Sequence, residues 1–453
     1  MIIQIVYFIA AILFILGLKR LSSPKTATSG IKLAGIGMLL AIIATFLFPD
    51  LHNFWLIFTT IFIGTVIAWI SAKRVAVTAM PEMIAMYNGM GGGAASAIAT
   101  IELLKLVTNP STNMPTTTFI LAIGGALIGN ISFSGSILAF FKLRDWLKNI
   151  YFPRQQLVNL SALAMALLLG CIFYFWHTDL IFIMFFATSI AYGVLMTMSI
   201  GGADMPVVIS LYNAFTGLAV ASEGFVINNI VMIIAGTLVG SAGSLLTLLM
   251  AKAMNRSLSN ILFTRFGSGS GAVVKGNIKS MEIEDAAIML NFVNKVVFIP
   301  GYGMAVAQAQ QKVWELASLL LEKGIEVKFA IHSVAGRMPG HMNVLLAEAG
   351  VPYDYIVDMD DINNDFPNTD VVIVIGANDV VNPAARTDKT SSIYGMPILN
   401  ADYAKQIFVI KRGTGKGYAG IENLLFFNDK CRMVYGDAKQ VITKMIQTLK
   451  EQE

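Results

Sequence analysis

The fold of the C-terminal part turns on Lys295-Val296-Val297-Phe298-Ile299-Pro300-Gly301-Tyr302-Gly303-Met304-Ala305-Val306. An apolar, β-branched run of strand length ends in two glycines one residue apart. An amphipathic pattern then continues to about Lys323, and a second apolar run follows from Ile325 to Ile331. Strand, glycine turn, helix and strand in that order make a βαβ unit. Asp370 to Ile375 and Gln406 to Ile410 read as further strands. The alternation predicts an α/β doubly wound, Rossmann-like domain with a parallel sheet. In such a unit the glycines let backbone N–H groups and a helix N-terminus approach a pyrophosphate. Val306 stands where a third glycine is usual, which changes helix–strand spacing without removing the cradle.

Outward from this stretch the chain changes solvent. Of its 453 residues 56% are hydrophobic and 13% charged, against about 25% charged in soluble domains. Residues 1–270 hold 14 Lys/Arg and 7 Asp/Glu, whereas residues 271–453 hold 18 and 21. A wholly soluble or disordered protein is excluded. Crossing the hydrocarbon layer takes roughly 17–25 residues of helix. Nine runs qualify: Ile2 to Leu18, Ile31 to Phe48, Phe54 to Ile70, Met83 to Val107, Phe119 to Phe141, Leu157 to Trp176, Leu180 to Ser199, Val207 to Ser222 and Asn228 to Met250. With the N-terminus outside, 13 Lys/Arg fall on the cytoplasmic side and Lys105 alone on the other, which carries the C-terminal domain to the cytoplasm. The expected organisation is a polytopic α-helical membrane domain over residues 1–262, a flexible linker over 263–280 containing Gly267 to Gly271, and a soluble domain over 281–453. Two cysteines, Cys171 and Cys431, exclude a disulfide framework or a zinc site and read as packing residues.

The membrane half repeats itself. Met80 to Gly89 recurs 125 residues later as Met205 to Ala214, and corresponding helices of internal repeats are where transport paths lie. Asn88 and Asn213 occupy matching places: they either bind water and pass protons, or join helices by hydrogen bonds. Asparagine does not titrate, so a proton path needs another group. Glu82, Glu102, Asp204 and Glu223, all near predicted span ends, are the candidates, each also readable as an interfacial charge. The pairs Gly125/Gly129 and Gly236/Gly240 and the cluster Gly89 to Gly93 read as close helix packing.

In the soluble part, the second strand runs into Ile331-His332-Ser333 with no carboxylate, where an NAD-selective site places one for the ribose hydroxyl. Lys411-Arg412 follows the Gln406 strand and precedes Gly413, Gly415 and Gly417; this pair, or Arg337, suits a 2′-phosphate. Gly376-Ala377-Asn378-Asp379 follows another strand end, with Asp379 either capping a turn or titrating beside a nicotinamide. His332 and His341 stay open.

These runs, with Gly201 to Pro206, Lys252 to Ser257, Pro300 to Gln310, Val334 to Arg337, Pro339 to Asn343 and Gly436 to Lys439, carry a resemblance. Over nearly its whole length the chain resembles the beta subunit of proton-translocating NAD(P) transhydrogenases. The resemblance implies an NADP(H)-binding cytoplasmic domain, hydride exchange with NAD(H) on an alpha subunit, a dimer of alpha-beta units, and proton movement across the cell inner membrane. Carried onto matching residues, the NADP contacts would be Tyr302, then Val334, Ala335, Gly336, Arg337, Met338 and Pro339. They continue through Gly376, Ala377, Asn378, Asp379 and Val380 to Gly395 and Met396. Lys411, Arg412, Gly413, Thr414, Gly415, Lys416, Gly417 and Tyr418 follow, with Asp437 and Ala438 last. Lys411-Arg412 would take the 2′-phosphate. Asp379 would couple the nucleotide site to protonation, with Asn88, Asn213 and Asp204 serving the proton path. Some members of that family carry a membrane histidine where this chain has Asn88, so the partner subunit is expected to supply it. The competing reading is an ion transporter or channel whose cytoplasmic domain senses nucleotides.

Overall fold

The computed structural model describes residues 2–48, 51–109, 114–144, 146–147, 150, 154–201, 204–255, 257–263, 277–391, 393–413, 415–417 and 419–452. The linker glycines Gly267 to Gly271, and Thr414 and Tyr418 of the expected site, lie outside the described residues. Packing divides the chain into two units, Met1–Ala76 with Glu82–Ser199 and Val208–Thr247, and Val77–Pro81 with Ile200–Val207 and Leu248–Glu453.

Among the described residues nine helices are long and apolar enough to cross a membrane: α1 (Ile2–Leu21), α2 (Pro24–Thr45), α3 (Phe54–Arg74), α4 (Met80–Thr108), α5 (Thr116–Leu143), α6 (Gln155–Phe175), α7 (Asp179–Met198), α8 (Met205–Val226) and α9 (Ile230–Ala253). Helix α8 is longer at both ends than the run Val207 to Ser222. Pro206 sits in its first turn, where a missing N–H costs nothing, and Glu223 falls inside the helix. Gly224 is needed there, since a Cβ on it would meet Ile233 N at 2.7 Å. Glycines also close α4 on α5: a Cβ on Gly92 would lie 3.0 Å from Gly129 O, and one on Gly129 would lie 2.9 Å from Gly92 O.

After the short α10 (Leu258–Phe263), the chain forms α11 (Ile283–Met289), β1 (Lys295–Pro300), α12 (Tyr302–Val306), α13 (Gln310–Glu322), β2 (Glu326–Ile331), α14 (His341–Glu348), β3 (Ile356–Asp358), α15 (Met359–Ile362), β4 (Val371–Ile375), α16 (Ala384–Thr387), β5 (Gln406–Lys411), β6 (Cys431–Tyr435) and α17 (Ala438–Glu451). The sheet is parallel throughout, in the order β3-β2-β1-β4-β5-β6. Strand side chains alternate between two cores. Phe298, Phe329, Ile373 and Phe408 face the layer of α11, α13, α14 and α17. Val297, Ile299, Val374 and Val409 face a layer built on Ile362, Phe366, Leu399, Leu425 and Phe426. Helix α17 shows why it docks: Val441, Ile442, Met445, Ile446 and Leu449 are all buried at the spacing of one helical face. Cys431 lies in the second core, where burial pushes its thiol up to about 12.

One expectation is corrected. The helix foreseen from the glycine turn to about Lys323 is two helices, because Gln308 adopts φ +49°. A left-handed residue cannot continue a right-handed helix. Strands β3 and β6 were also not foreseen; β3 is three residues long and half-exposed, too short to show a period.

Candidate functional site

All six strands point their carboxyl ends to one edge, and the strand order reverses between β1 and β4. Loops from those two strands diverge there and leave a crevice. It is a cavity of about 500 Å³, within the range of small-molecule sites. Its walls come from Gly301 to Gly303 after β1, Val334 to Gly336 after β2, Gly376 to Val380 after β4, Lys411 to Gly413 and Gly415 to Gly417 after β5, and Gly436 and Ala438 after β6. Met396 completes the set foreseen from sequence. Arg337, Met338, Pro339, Gly395 and Asp437 are not among the lining residues. Asp437 instead caps α17, its Oδ1 accepting from Lys439 N at 3.1 Å. Ala307, Ile393, Ile410 and Ala419 line the cavity without having been singled out. Ile410 could have been found as a strand-end residue, whereas the rest sit in stretches with no period to read.

The glycines act in an unexpected way. Gly301 N–H donates to Ile375 O at 2.9 Å and Gly303 N–H to Gly376 O at 3.0 Å, so both groups are engaged by the end of β4. They permit contact between two strand-end loops. A Cβ on Gly301 would lie 2.4 Å from Ala377 N and Cα, and one on Gly376, itself at φ +66°, would lie 2.4 Å from Gly303 Cα. The β1 and β4 loops touch backbone to backbone, and the crevice floor is built on that contact.

The basic end lies past β5. Lys411 and Lys416 line the cavity with the exposed Arg412. Lys411 Nζ donates to Gly415 O and sits 4.9 Å from the centre of the Phe426 ring. Burial lowers the Lys411 ammonium below its usual value, and the Asp379 carboxylate pulls it partly back. Asp379 Oδ2 accepts from Ala419 N at 2.9 Å, and a Cβ on Gly417 would lie 2.3 Å from its Oδ1. The β4 end is thereby tied to the segment carrying Gly415 to Gly417. Asn423 reinforces the tie, donating to both Asn378 O and Asn378 Oδ1 at 2.9 Å. On the β2 side Arg337 stacks over the Tyr302 ring at 4.4 Å.

Both soluble histidines have structural partners. His332 Nδ1 accepts from Val334 N at 3.2 Å, so its Nε2–H donates to Pro397 O at 2.8 Å. His341 Nδ1 accepts from Arg337 N at 3.1 Å. Burial lowers His332 below the usual histidine value, against the pull of the Pro397 carbonyl. Burial, then the Arg337 charge, brings His341 down to about 4. Both are neutral at pH 7 in the folded chain. The unfolded chain, with ordinary histidines near about 6.5, binds more protons between that value and the folded one. Stability is therefore full above that window and falls as the pH drops through it, by on the order of 2 kcal/mol for His341. Urea unfolding of wild type and His341→Gln between pH 7 and pH 4 checks this: the variant should lose part of the slope.

In the helical unit a polar seam joins α4, α5 and α8. Asn88 Nδ2 donates to Ser136 Oγ at 3.0 Å, Thr216 Oγ1 donates to Asn88 O at 3.3 Å, and Ser132 Oγ bonds Tyr212 O at 2.9 Å and Thr216 Oγ1 at 2.6 Å. Further along, Ser96 Oγ donates to Asn130 Oδ1 at 2.6 Å. On α8 the bonds come from Tyr212 and Thr216, either side of the foreseen Asn213; single serines and threonines gave no warning in sequence. Asp204 is buried just before α8, and Glu82 is buried on α4.

The family model described as NAD(P) transhydrogenase beta subunit matches residues 3–448. The chain is similar to NAD(P) transhydrogenase subunit beta of Rhodospirillum rubrum, at 42% identity over 458 residues, covering 98% of this chain and 98% of that one. The same-named subunit of a designated strain of that organism matches at the same identity and coverage.

Proposed function

Because the chain belongs to the NAD(P) transhydrogenase beta subunit family, we propose that its sheet domain binds NADP(H) and that the membrane bundle couples hydride exchange to proton movement. Membership makes this multi-pass chain a subunit of an oxidoreductase that uses nicotinamide nucleotides and works with an alpha subunit. We assign residues 1–262 to the proton-translocating domain, 263–280 to a linker and 281–453 to the nucleotide domain, placed in the cytoplasm by the skew of Lys and Arg.

One observation carries the choice of NADP(H): Lys411, Arg412 and Lys416 line the β5 end of the cavity, while among the described residues the β2 end offers no carboxylate to it. Charge-assisted bonds from that set suit a 2′-phosphate. The basic set also supports a direction. It lies beyond the switch point on the β4–β5 side, so the adenosine end lies there and the nicotinamide end lies toward β1 and β2, the reverse of sites that hold ribose at the end of β2. When bound, the nicotinamide ring supplies the carbon that gives or takes hydride. The chain's own residues hold and shield it. Val380, Ile393 and Met396 furnish apolar wall, and Asp379 holds Ala419 at the cavity wall through the bond from its N–H. A change of charge on Asp379 would weaken its bond from Ala419 N–H and free that part of the cavity wall, which would link protonation to release.

Coupling gives the exchange its use. The two nucleotide couples have nearly equal intrinsic potentials, so uncoupled exchange would equalise the pools. One proton falling through ~150 mV releases roughly 3.5 kcal/mol, enough to hold the two ratios roughly 300-fold apart. Calorimetric titration of the purified chain should show NADPH binding at least about tenfold tighter than NADH, and sealed vesicles with the alpha subunit should build a pH gradient during turnover. Equal affinities would overturn the nucleotide assignment; turnover without a gradient would overturn the coupling.

A further inference from the structure

We propose that Glu223 is a proton-carrying residue of the membrane bundle, seated at one end of the polar seam between α4, α5 and α8. The inference rests on the proton-coupled reading above and names a group for it.

Glu223 lies on α8 with 0% exposure, and among the described residues neither carboxyl oxygen has a hydrogen-bond partner. It occupies a notch: a Cβ on Gly125 of α5 would stand 2.0 Å from Glu223 Oε1. A carboxyl inside an apolar bundle without a cation or donor is costly when charged. Such a group is kept where its charge changes.

Its place in the seam supplies the second argument. Tyr212, Thr216, Ala219 and Glu223 are spaced along one face of α8, and Gly125, Gly129, Ser132 and Ser136 along one face of α5. The two faces meet at Ser132 with Tyr212 and Thr216, and again at Gly125 with Glu223. Helix α4 closes the third side through Asn88 with Ser136, Gly92 with Gly129, and Ser96 with Asn130. From Tyr212 to Glu223 the row covers about 16 Å at 1.5 Å per residue. Hydroxyls donate and accept and can pass a proton along, but they do not store one. Glu223 can.

The titratable neighbour is Glu102 of α4, ion-paired with Lys105 at 2.7 Å. Lys142 of α5 and Lys252 of α9 lie at the opposite ends of those helices.

The test uses the full chain with its alpha subunit in sealed vesicles, comparing wild type, Glu223→Gln and Glu223→Asp. Three readouts are needed: turnover-driven acidification, its pH profile, and the protonated-carboxyl band in infrared difference spectra. Expected for Glu223→Gln are a loss of at least about tenfold in acidification, loss of the infrared band, and NADPH affinity within about threefold of wild type. Glu223→Asp should keep acidification with a displaced pH profile. Wild-type acidification and pH profile retained in Glu223→Gln would overturn the proposal. If that variant fails to assemble, Glu223→Asp decides: a displaced profile supports the assignment and an unchanged one refutes it. Absence of acidification in wild type would instead refute the coupled reading, and the infrared band would still show whether Glu223 exchanges a proton.

Discussion

A Gly301→Ala chain is expected to lose about 3 kcal/mol of stability in its sheet domain and to bind nucleotide at least about tenfold more weakly. The added methyl would stand 2.4 Å from Ala377 N and Cα and 2.5 Å from Gly376 O. All three are backbone atoms, held by the bonds from Gly301 N–H to Ile375 O and Gly303 N–H to Gly376 O. Nothing flexible can move aside, so the β1 and β4 loops must part and the crevice floor opens. Gly376→Ala should be at least as damaging, since φ +66° adds about 1–2 kcal/mol of left-handed strain. Gly413→Ala is the control for stability, because a Cβ there meets nothing within 4 Å. Thermal unfolding of the three variants and NADPH titration against wild type settle it; a Gly301→Ala chain as stable as Gly413→Ala and binding NADPH as tightly as wild type would show that the loop contact is dispensable.

Replacing Lys411 and Arg412 together by alanine should weaken NADPH binding roughly 100-fold or more while leaving NADH within about threefold. Each charge-assisted bond contributes about 1.5–3 kcal/mol, and only the phosphorylated nucleotide receives it. Lys411→Ala should be the more costly single change, because its ammonium is half-buried beside the cavity whereas Arg412 is exposed and screened by salt. The pH dependence has a definite sign. Burial lowers the Lys411 ammonium, so NADPH affinity should decline as the pH rises through that lowered value, before the ordinary lysine range near about 10.5. Lys411→Arg, which keeps its charge, should abolish the decline. Equal losses for NADPH and NADH would place the 2′-phosphate elsewhere.

Much of this was legible in the sequence for plain physical reasons. Hydrocarbon thickness sets a minimum apolar length, so the spans announced themselves. Apolar β-branched runs separated by amphipathic stretches specified a parallel sheet, because a strand buried on both faces reads as a continuous apolar run and a helix packed on one face as a 3.6-residue period. The end of β1, the end of β4 and the Lys411-Arg412 pair could be marked as site residues because carboxyl ends of parallel strands share one edge. Tertiary structure alone decided how they are used. Only the folded chain shows that Gly301, Gly303 and Gly376 lie backbone against backbone, since an approach across 75 residues leaves no local trace. Helix α12 ends where Gln308 turns left-handed, a choice that packing imposes on a residue of ordinary helical type. Glu223 likewise read as one more charge near a span end, until α8 extended past it and Gly125 was found to make room for its carboxyl. Sequence determines which groups can be polar or apolar; burial and partners, which decide their chemistry, exist only once the helices are side by side.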